Sequence, residues 1–280
     1  MQDNLWIKDK ICLVTGASSG IGLATSWQLA KLGATVVMIA RDDDRGRAAK
    51  LKVLDKSGNQ NVHVFLVDFA SLPQIRGLAK KFLAKFPALH VLINNAAVIP
   101  LNRQTSEDGY ELQFAVNHLA PFLLTNLLLP LMKASQPARI INVSSSVHHS
   151  GRINFDDLQS KRRYYPNTVY ANTKLANVLF TTQLAKMLLG SGVTANCLHP
   201  GVIDTKLYKN YMGTVRPAGA DDDELERGAA TTVYLASSGE VEDISGKYFA
   251  YQQERQTSST SQNEDLARRL WQVSAKLVGL

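Results

Sequence analysis

The sequence predicts one doubly wound α/β domain, in which a mostly parallel seven-stranded sheet is covered by helices on both faces. Short apolar runs of strand length alternate with helical patterns almost to the end of the 280 residues. The strand runs are nearly continuous in valine, isoleucine and leucine, as expected when both faces of a sheet are buried. No linker rich in proline, glycine or serine and no internal repeat divides the chain.

The predicted strands and helices alternate in a regular order. The strands cover residues 10–15, 35–40, 62–67, 91–94, 139–144, 194–199 and 247–249, and the helices cover residues 21–32, 44–56, 72–85, 119–133, 170–189 and 224–236. Gly33 and Gly58 are predicted to cap the first two helices. Right-handed crossovers place the carboxyl ends of the parallel strands at one edge of the sheet, where ligands bind.

The single domain is expected to have a cofactor half and a catalytic half. We expect these over about residues 1–145 and about residues 146–251. A polar surface loop over residues 252–263 and a short C-terminal helix follow. The apolar face of that helix is predicted to consist of Leu266, Leu270, Val273 and Leu277. The helix is expected to dock on the body of the domain, with a lid or a subunit contact as alternatives.

Composition and charge narrow the class of protein. Hydrophobic residues make up 45% of the chain and charged residues 20%, which is ordinary for a globular protein. Cys12 and Cys197 lie in predicted buried strands without metal-ligand spacing, which indicates a reducing compartment. The net charge of +7 favours an anionic cofactor. Nucleic-acid binding would need a basic stripe interleaved with aromatic side chains. Residues 161–165 are the only candidate for one, so such binding is not expected.

The chain is expected to be cytoplasmic and to lack a membrane span. Its beginning shows no signal pattern and no anchor before the first strand. The most apolar stretch, residues 119–132, contains Pro121, Asn126 and Pro130 and is shorter than the ~20 apolar residues of a span. We expect a buried or subunit-facing helix there, and helices 119–133 and 170–189 are candidates for pairing subunits in a homodimer or homotetramer.

A glycine-rich turn follows the first strand and leads into the first helix. Gly16, Gly20 and Gly22 allow a tight turn and a close approach of the backbone to a pyrophosphate. The helix N-terminus adds unpaired N–H groups and a partial positive charge. The setting of strand, turn and helix predicts a Rossmann-type dinucleotide site. Its candidate contacts are Gly16, Ser18, Ser19, Gly20, Ile21 and Gly22.

The residues after the second and third strands bear on which dinucleotide binds. Ala40 occupies the place where an acidic residue would bind a ribose 2′-hydroxyl, and Arg41 comes next. Because an arginine suits a 2′-phosphate, NADP(H) is favoured over NAD(H). The alternative for Arg41 is an ion pair with Asp42 or Asp43. Asp68 is a candidate for bonding the adenine amine or, equally, for forming a turn before Ser71.

A tyrosine and a lysine four residues apart form the candidate catalytic pair. Tyr170 and Lys174 share one face of a predicted helix. An ammonium about 4 Å from a phenol, at an effective dielectric of about 20, favours the phenolate by about 4 kcal/mol. Tyr170 is therefore predicted to transfer a proton near neutral pH. A hydroxyl among Ser144, Ser145 and Ser146 is predicted to bond the reacting carbonyl oxygen.

Other polar residues give weaker signals. His148 and His149 are candidates for lining the substrate pocket or for a solvated loop. The remaining histidines lack metal-ligand spacing, and no metal is predicted. No Gly-x-Ser-x-Gly pattern of a hydrolase surrounds the serines.

The ordered set of motifs resembles the short-chain dehydrogenase/reductase family over essentially the whole chain. The matching elements are Thr15 to Gly22, Asp68, Asn94-Asn95-Ala96, Asn117, Asn142-Val143-Ser144-Ser145, Tyr170-x-x-x-Lys174 and Pro200-Gly201. The resemblance implies a catalytic tetrad of Asn117, Ser145, Tyr170 and Lys174. It also implies that Asn117 holds a water in a proton relay to Lys174, and that Lys174 and Asn95 contact the nicotinamide ribose. The segment Pro200, Gly201, Val202 and Thr205 would complete the cofactor site.

Finer features resemble the retinol-dehydrogenase-like branch of this family. These are His148-His149 after the serines, Phe155 to Leu158, Leu175 to Phe180 and His199 to Val202. The branch implies NADP(H) and an apolar carbonyl or alcohol substrate, including retinoids. Ala97 departs from the glycine that usually follows Asn-Asn-Ala. The short, polar stretch 205–228 suggests a more open pocket than in relatives.

The sequence therefore predicts an NADP-dependent oxidoreductase that reduces an aldehyde or ketone, or oxidises the alcohol. Two alternatives are an NAD-linked alcohol dehydrogenase and a non-catalytic NADP-sensing or scaffold protein with the same fold. The substrate itself does not follow from the sequence.

Overall fold

The computed structural model of the protein describes residues 5–214 and 219–280, which form a sheet covered by helices on both faces. The strands are β1 (Ile11–Thr15), β2 (Thr35–Ala40), β3 (Val62–Leu66), β4 (Val91–Asn94), β5 (Ala138–Val143), β6 (Val193–His199), β7 (Tyr248–Ala250) and β8 (Gln253–Arg255). Their order is β3-β2-β1-β4-β5-β6-β7-β8, and all neighbours are parallel except β7 and β8. The predicted doubly wound fold is confirmed.

The helices alternate with the strands up to β7. They are α1 (Gly20–Lys31), α2 (Asp43–Ser57), α3 (Leu72–Lys85), α4 (Leu112–Phe114), α5 (Ala120–Ala134), α6 (Pro166–Met187), α7 (Lys206–Tyr211), α8 (Asp222–Ser237) and α9 (Glu264–Val278). Gly33 and Gly58 have φ values of 87° and 69°, in the left-handed region that glycine adopts readily. The predicted caps of the first two helices are therefore confirmed.

The order of the strands reverses beside β1, and this reversal positions the functional site. The chain moves from β1 outward to β2 and β3, and then crosses back to β4 on the other side of β1. The carboxyl ends of β1 and β4 consequently border a crevice, which is where dinucleotides bind in open α/β sheets. Two large apolar clusters fill the space between the sheet and its two helical layers.

The prediction of seven strands was wrong, because the described sheet contains an eighth. Strand β8 lies within the stretch that was predicted to be a polar loop. It pairs antiparallel with β7 through a two-residue turn at Tyr251 and Gln252, whose φ values are 54° and 61°. Two successive positive φ values are typical of a tight hairpin turn, but these residue types do not signal one. The side chains of β8 are exposed, so no apolar alternation marks the strand.

The apolar helix predicted over residues 119–133 begins earlier than expected. Helix α4 continues through a π-helical turn, Ala115–Leu119, into α5, so the helical stretch runs from Leu112 to Ala134. By length and composition this stretch is long and apolar enough to cross a membrane, and 72% of its most apolar window is buried inside the protein. Helices in the core of soluble proteins have the same character.

The C-terminal helix α9 packs on α6 and also contacts α5. Trp271 lies against Phe122 and Phe180, with ring centroids 4.8 and 5.7 Å away. The predicted apolar face was only partly right, because the buried residues are Ala267, Leu270, Ser274 and Val278. Docking on the body of the domain, rather than a lid, is the arrangement found. The surfaces suggested for pairing subunits are partly covered by this helix.

Candidate active site

The turn between β1 and α1 is held by glycines that have no room for a side chain. Gly16 and Gly20 have φ values of 64° and 57°. A Cβ on Gly22 would lie 2.4 Å from both the Asn95 Nδ2 atom and the Gly16 carbonyl oxygen. A Cβ on Gly16 would lie 2.8 Å from the Ala96 Cα atom. The turn is therefore drawn tightly against the end of β4.

Asn95 ties this turn to β4 through its side-chain amide. Its Nδ2 donates to the carbonyl oxygens of Thr15 and Gly16 at 2.8 and 3.3 Å, and its backbone N–H donates to the Thr15 hydroxyl at 2.9 Å. Asn95 thus shapes the floor of the crevice. Its contact with a ribose remains a prediction.

The N-terminus of α1 fits an anionic group such as a pyrophosphate. Ser19 precedes the helix in an extended conformation, and its side chain makes no capping hydrogen bond. The first turn carries no acidic residue that would occupy its N–H groups. Ser19 is exposed, and Ser18, Gly20 and Ile21 are half-buried at the surface of the crevice. Unpaired N–H groups and the helix dipole together favour a bound phosphate here.

Arg41 is exposed directly after β2 and is not paired with the acidic residues that follow it. Asp42 accepts the Arg45 backbone N–H at 2.9 Å, and Asp43 pairs with Arg47 at 2.6 Å. Among the described residues, the Arg41 guanidinium makes no hydrogen bond or ion pair. The predicted alternative, an ion pair of Arg41 with Asp42 or Asp43, is therefore not observed.

Asp68 forms the turn after β3. Its Oδ1 accepts the Ala70 N–H at 2.9 Å, and its backbone carbonyl accepts the Ser71 N–H at 3.1 Å. The turn-forming alternative is therefore the one observed, while the adenine contact remains a prediction.

The segment after β6 closes the other side of the crevice. Gly201 has a φ of 88°, and the Thr205 hydroxyl accepts the Tyr208 N–H at 3.3 Å at the start of α7. A Cβ on Gly20 would lie 3.3 Å from the Thr205 methyl group, so Thr205 borders the phosphate turn. Pro200 is half-buried, and the Val202 side chain is 64% exposed. The structure thus brings this segment to the candidate cofactor site.

The three adjacent serines differ in what their hydroxyls do. The Ser144 hydroxyl is buried and donates to the Lys174 carbonyl at 2.8 Å, while Ser146 is exposed. The Ser145 hydroxyl accepts only a long bond of 3.4 Å from the Val147 N–H. Ser145 is 9% exposed at the carboxyl end of β5. Of the two buried serines, Ser145 is therefore the one whose hydroxyl makes no short hydrogen bond, and its contact with a substrate oxygen remains a prediction.

Tyr170 and Lys174 lie on the face of α6 that packs against β5. The Lys174 Nζ donates to the Val143 carbonyl at 2.8 Å and lies 5.3 Å from the centroid of the Tyr170 ring. The Tyr170 hydroxyl makes no hydrogen bond within the described part of the chain. Tyr211 of α7 packs edge-on against Tyr170 at 6.0 Å between centroids. Sequence reasoning missed Tyr211, because nothing in its spacing relates it to α6.

The electrostatics of this pair differ from the prediction that Lys174 lowers the pKa of Tyr170. Burial raises the pKa of the Tyr170 hydroxyl above its ordinary value. Burial also lowers the pKa of Lys174 to about 7. Desolvation dominates because both groups are almost inaccessible and the ammonium donates to the Val143 carbonyl rather than to the phenol. A raised pKa keeps the Tyr170 hydroxyl protonated at neutral pH, as a proton donor must be.

Asn117 lies in the π-helical turn between α4 and α5, a distortion that is frequent at functional sites. Its Oδ1 accepts the Val98 N–H at 2.8 Å, and its Nδ2 donates to the Val98 carbonyl at 3.1 Å and to the Thr173 hydroxyl at 3.2 Å. Asn117 thus connects the loop after β4 with the residue preceding Lys174. The proton relay through water remains a prediction.

Replacing Gly22 with alanine tests whether the turn needs this close approach. The added methyl group has to displace Asn95 or Gly16, so we expect a loss of about 1–3 kcal/mol in the free energy of unfolding. We also expect the affinity for the predicted dinucleotide, measured by fluorescence titration with NADPH as the probe, to fall at least about tenfold.

The matched control is Gly77→Ala in α3, where nothing lies within 4 Å of the added Cβ. This variant should keep its NADPH affinity and its stability, or gain up to about 1 kcal/mol. Equal behaviour of the two variants would show that the turn is not held as described.

The sequence and the fold resemble those of known proteins. The family described as short chain dehydrogenase matches residues 10–214. Retinol dehydrogenase 13 of Homo sapiens is 42% identical over 286 residues, which cover 98% of this chain and 86% of that protein. Retinol dehydrogenase 11 of Mus musculus is 42% identical over 281 residues, which cover 99% of this chain and 89% of that protein.

The fold is also similar to those of solved structures. An uncharacterized protein from Mycobacterium paratuberculosis has a TM-score of 0.80 and 33% identity, covering 97% of this chain and 94% of that one. A short chain dehydrogenase from Escherichia coli CFT073 complexed with NADPH has a TM-score of 0.72 and 25% identity, covering 90% of this chain and 100% of that one.

The chain therefore belongs to the short-chain dehydrogenase family of oxidoreductases. Within that family it is similar over nearly its whole length to several retinol dehydrogenases, which confirms the predicted resemblance to that branch.

Proposed function

We propose that the protein is an NADP(H)-dependent oxidoreductase that interconverts an apolar aldehyde or ketone and its alcohol. The observation that carries this proposal is the convergence of Ser145, Tyr170 and Lys174 at the carboxyl end of β5, beside the crevice at the N-terminus of α1. Lys174 and Ser144 join α6 to the end of β5 through bonds of 2.8 Å each. The reactive hydroxyls are thus held by rigid elements on the ligand-binding edge of the sheet.

The proposed chemistry divides the work between the cofactor and the protein. Bound NADPH supplies the hydride. The Ser145 hydroxyl donates a hydrogen bond to the carbonyl oxygen and stabilises the charge that develops there. The Tyr170 hydroxyl gives its proton to that oxygen, and the Lys174 ammonium stabilises the phenolate that is left. Asn117 keeps α6 in register with the loop after β4.

The residues of the crevice suit a dinucleotide. The glycine turn and the uncapped N-terminus of α1 would hold the pyrophosphate, and Arg41 would bind a 2′-phosphate. A structural relative of this chain is complexed with NADPH, which supports the choice of NADP(H) over NAD(H).

Exposed apolar side chains on the segments next to Tyr170 support an apolar substrate. Three hydrogen bonds join the segments that flank Tyr170 and Tyr211 in the chain to each other and to the loop after β4: Asn210 to the Ile99 carbonyl at 3.3 Å, Tyr164 to the Pro100 carbonyl at 2.7 Å and Asn167 to the Tyr211 carbonyl at 3.0 Å. Leu101, Tyr165 and Met212 adjoin these segments, and each is 55% exposed. The names of the sequence relatives include retinol, an apolar alcohol.

Replacing Arg41 with alanine tests the choice of cofactor. Loss of a charge-assisted bond to the 2′-phosphate should raise KM for NADPH by about 10-fold or more and leave KM for NADH nearly unchanged. Arg47→Ala is the matched control, because that guanidinium is already paired with Asp43 and Asp44. A preference for NADH in the unmodified protein would favour the NAD-linked alternative.

The activity itself is tested with a panel of aldehydes, ketones and quinones of graded size. We expect NADPH oxidation to accelerate with apolar carbonyls and to depend on their length. Binding of NADPH without oxidation across the whole panel would contradict the proposal and favour the cofactor-sensing alternative.

A further inference from the structure

His148 is a buried residue of the short 3₁₀ helix, Ser146–Ser150, that follows β5. Its Nδ1 lies 2.7 Å from the Ser145 carbonyl oxygen, and its backbone N–H donates to the same oxygen at 3.2 Å. The proposed reaction does not use this side chain directly. The imidazole nevertheless holds the peptide that follows the serine assigned to the substrate oxygen.

The surroundings fix the tautomer and the orientation of this ring. Burial lowers the pKa of His148 to about 4, so the ring is neutral at pH 7. Because a carbonyl only accepts hydrogen bonds, the hydrogen must be on Nδ1. Tyr248 of β7 packs edge-on at 4.7 Å and His149 packs at 4.1 Å between centroids, so the ring contacts two aromatic neighbours.

The Ser145 hydroxyl has little else to fix its direction. Its contact with the Val147 N–H is long, at 3.4 Å, and Ser145 is extended, with φ −163° and ψ 158°. The position of the hydroxyl therefore depends on the orientation of the Ser145 peptide. The imidazole provides the shorter of the two hydrogen bonds that anchor this peptide to His148.

We infer that His148 is a positioning residue, whose Nδ1–H holds the Ser145 carbonyl and thereby keeps the Ser145 hydroxyl aimed at the substrate oxygen. The inference rests on the proposed function, because it assigns His148 a role only through Ser145. A displacement of about 1 Å at a positioned group can reduce the rate about 10²-fold, so loss of the anchor should be visible in kcat.

Four variants test this role. Asparagine places an amide N–H near the position of Nδ1, whereas glutamine places it near Nε2 and leucine has no donor. We expect kcat to fall about 10- to 100-fold in His148→Leu and His148→Gln, with KM for NADPH and for the carbonyl changed by less than about threefold. His148→Asn should recover most of kcat. His63→Leu, a half-buried ring of β3 that does not contact His148, is the matched control and should retain activity.

Thermal unfolding of each variant separates positioning from folding. If His148→Leu does not fold, the kcat values of His148→Asn and His148→Gln decide whether His148 is a positioning residue, since both variants retain a polar amide. Unchanged kcat in His148→Leu or His148→Gln, or equal loss in the asparagine and glutamine variants, would overturn the inference.

Ser145→Ala, measured in parallel, distinguishes the two proposals. An inactive Ser145→Ala beside a fully active His148→Leu would overturn the role of His148 alone. A fully active Ser145→Ala would remove Ser145 from the mechanism, and the role of His148 with it.

Discussion

Tyr170→Phe should bind NADPH normally and lose about 10²- to 10⁴-fold in kcat, the range expected when a general acid is removed. The tyrosine ring is buried and packs against Tyr211, so phenylalanine keeps the packing and removes only the hydroxyl. That hydroxyl makes no hydrogen bond among the described residues, and its loss leaves no unpaired partner there. Stopped-flow measurement of NADPH oxidation separates this step from cofactor binding.

Tyr110→Phe is the matched control for the loss of a tyrosine hydroxyl. Tyr110 donates to the Leu277 carbonyl at 2.7 Å, in the contact between the loop before α4 and the end of α9. This variant should lose some stability and no turnover. Turnover retained by Tyr170→Phe would remove Tyr170 from the mechanism.

Lys174→Met should reduce kcat about 10²-fold or more, because it removes the charge proposed to stabilise the phenolate and the bond that joins α6 to β5. The same variant should change how stability depends on pH. The pKa of Lys174 is about 7 in the folded protein and about 10.5 ordinarily, so the unfolded chain binds more protons between these values. The free energy of unfolding of the unmodified protein should therefore rise with pH across this window.

The expected slope from this one group is at most about 1.4 kcal/mol per pH unit. Urea unfolding of the ligand-free protein at pH 7, 8 and 9 measures the slope, which should be smaller in Lys174→Met. Lys81→Met, an exposed lysine of α3, controls for the loss of one positive charge. If the free energy of unfolding depends on pH equally in the unmodified protein and in Lys174→Met, burial does not lower the pKa of Lys174.

Most of the fold followed from the sequence because parallel strands and their helices have strong local signals. Nearly continuous apolar runs marked β1 through β6, and the glycines at positions 33 and 58 marked helix ends with positive φ. Strand β8 was not predicted because its three residues are polar and exposed. The buried face of α9 differs from the predicted apolar face because Ser274 is buried, where its hydroxyl is hydrogen-bonded to His118 Nε2 at 2.8 Å.

The sequence predicted which residues form the candidate site better than it predicted their hydrogen bonds and pKa values. The order of the motifs identified Tyr170, Lys174 and Ser145, and the packing then showed that Ser144 is already engaged with the Lys174 carbonyl. Spacing on a helix could not reveal that Lys174 donates to Val143, or that burial outweighs attraction in this pair. Those effects depend on the surrounding elements, as does the burial of His148.

The most direct test of the central claim is transfer of deuterium from NADPH labelled at nicotinamide C4. The unmodified protein is incubated with an apolar aldehyde and each of the two C4-labelled stereoisomers, and the alcohol is analysed by mass spectrometry. One stereoisomer should give alcohol labelled at the former carbonyl carbon, and Tyr170→Phe should form that product at least about 10²-fold more slowly. Unlabelled alcohol from both stereoisomers, or labelled alcohol formed equally fast by Tyr170→Phe, would contradict the mechanism.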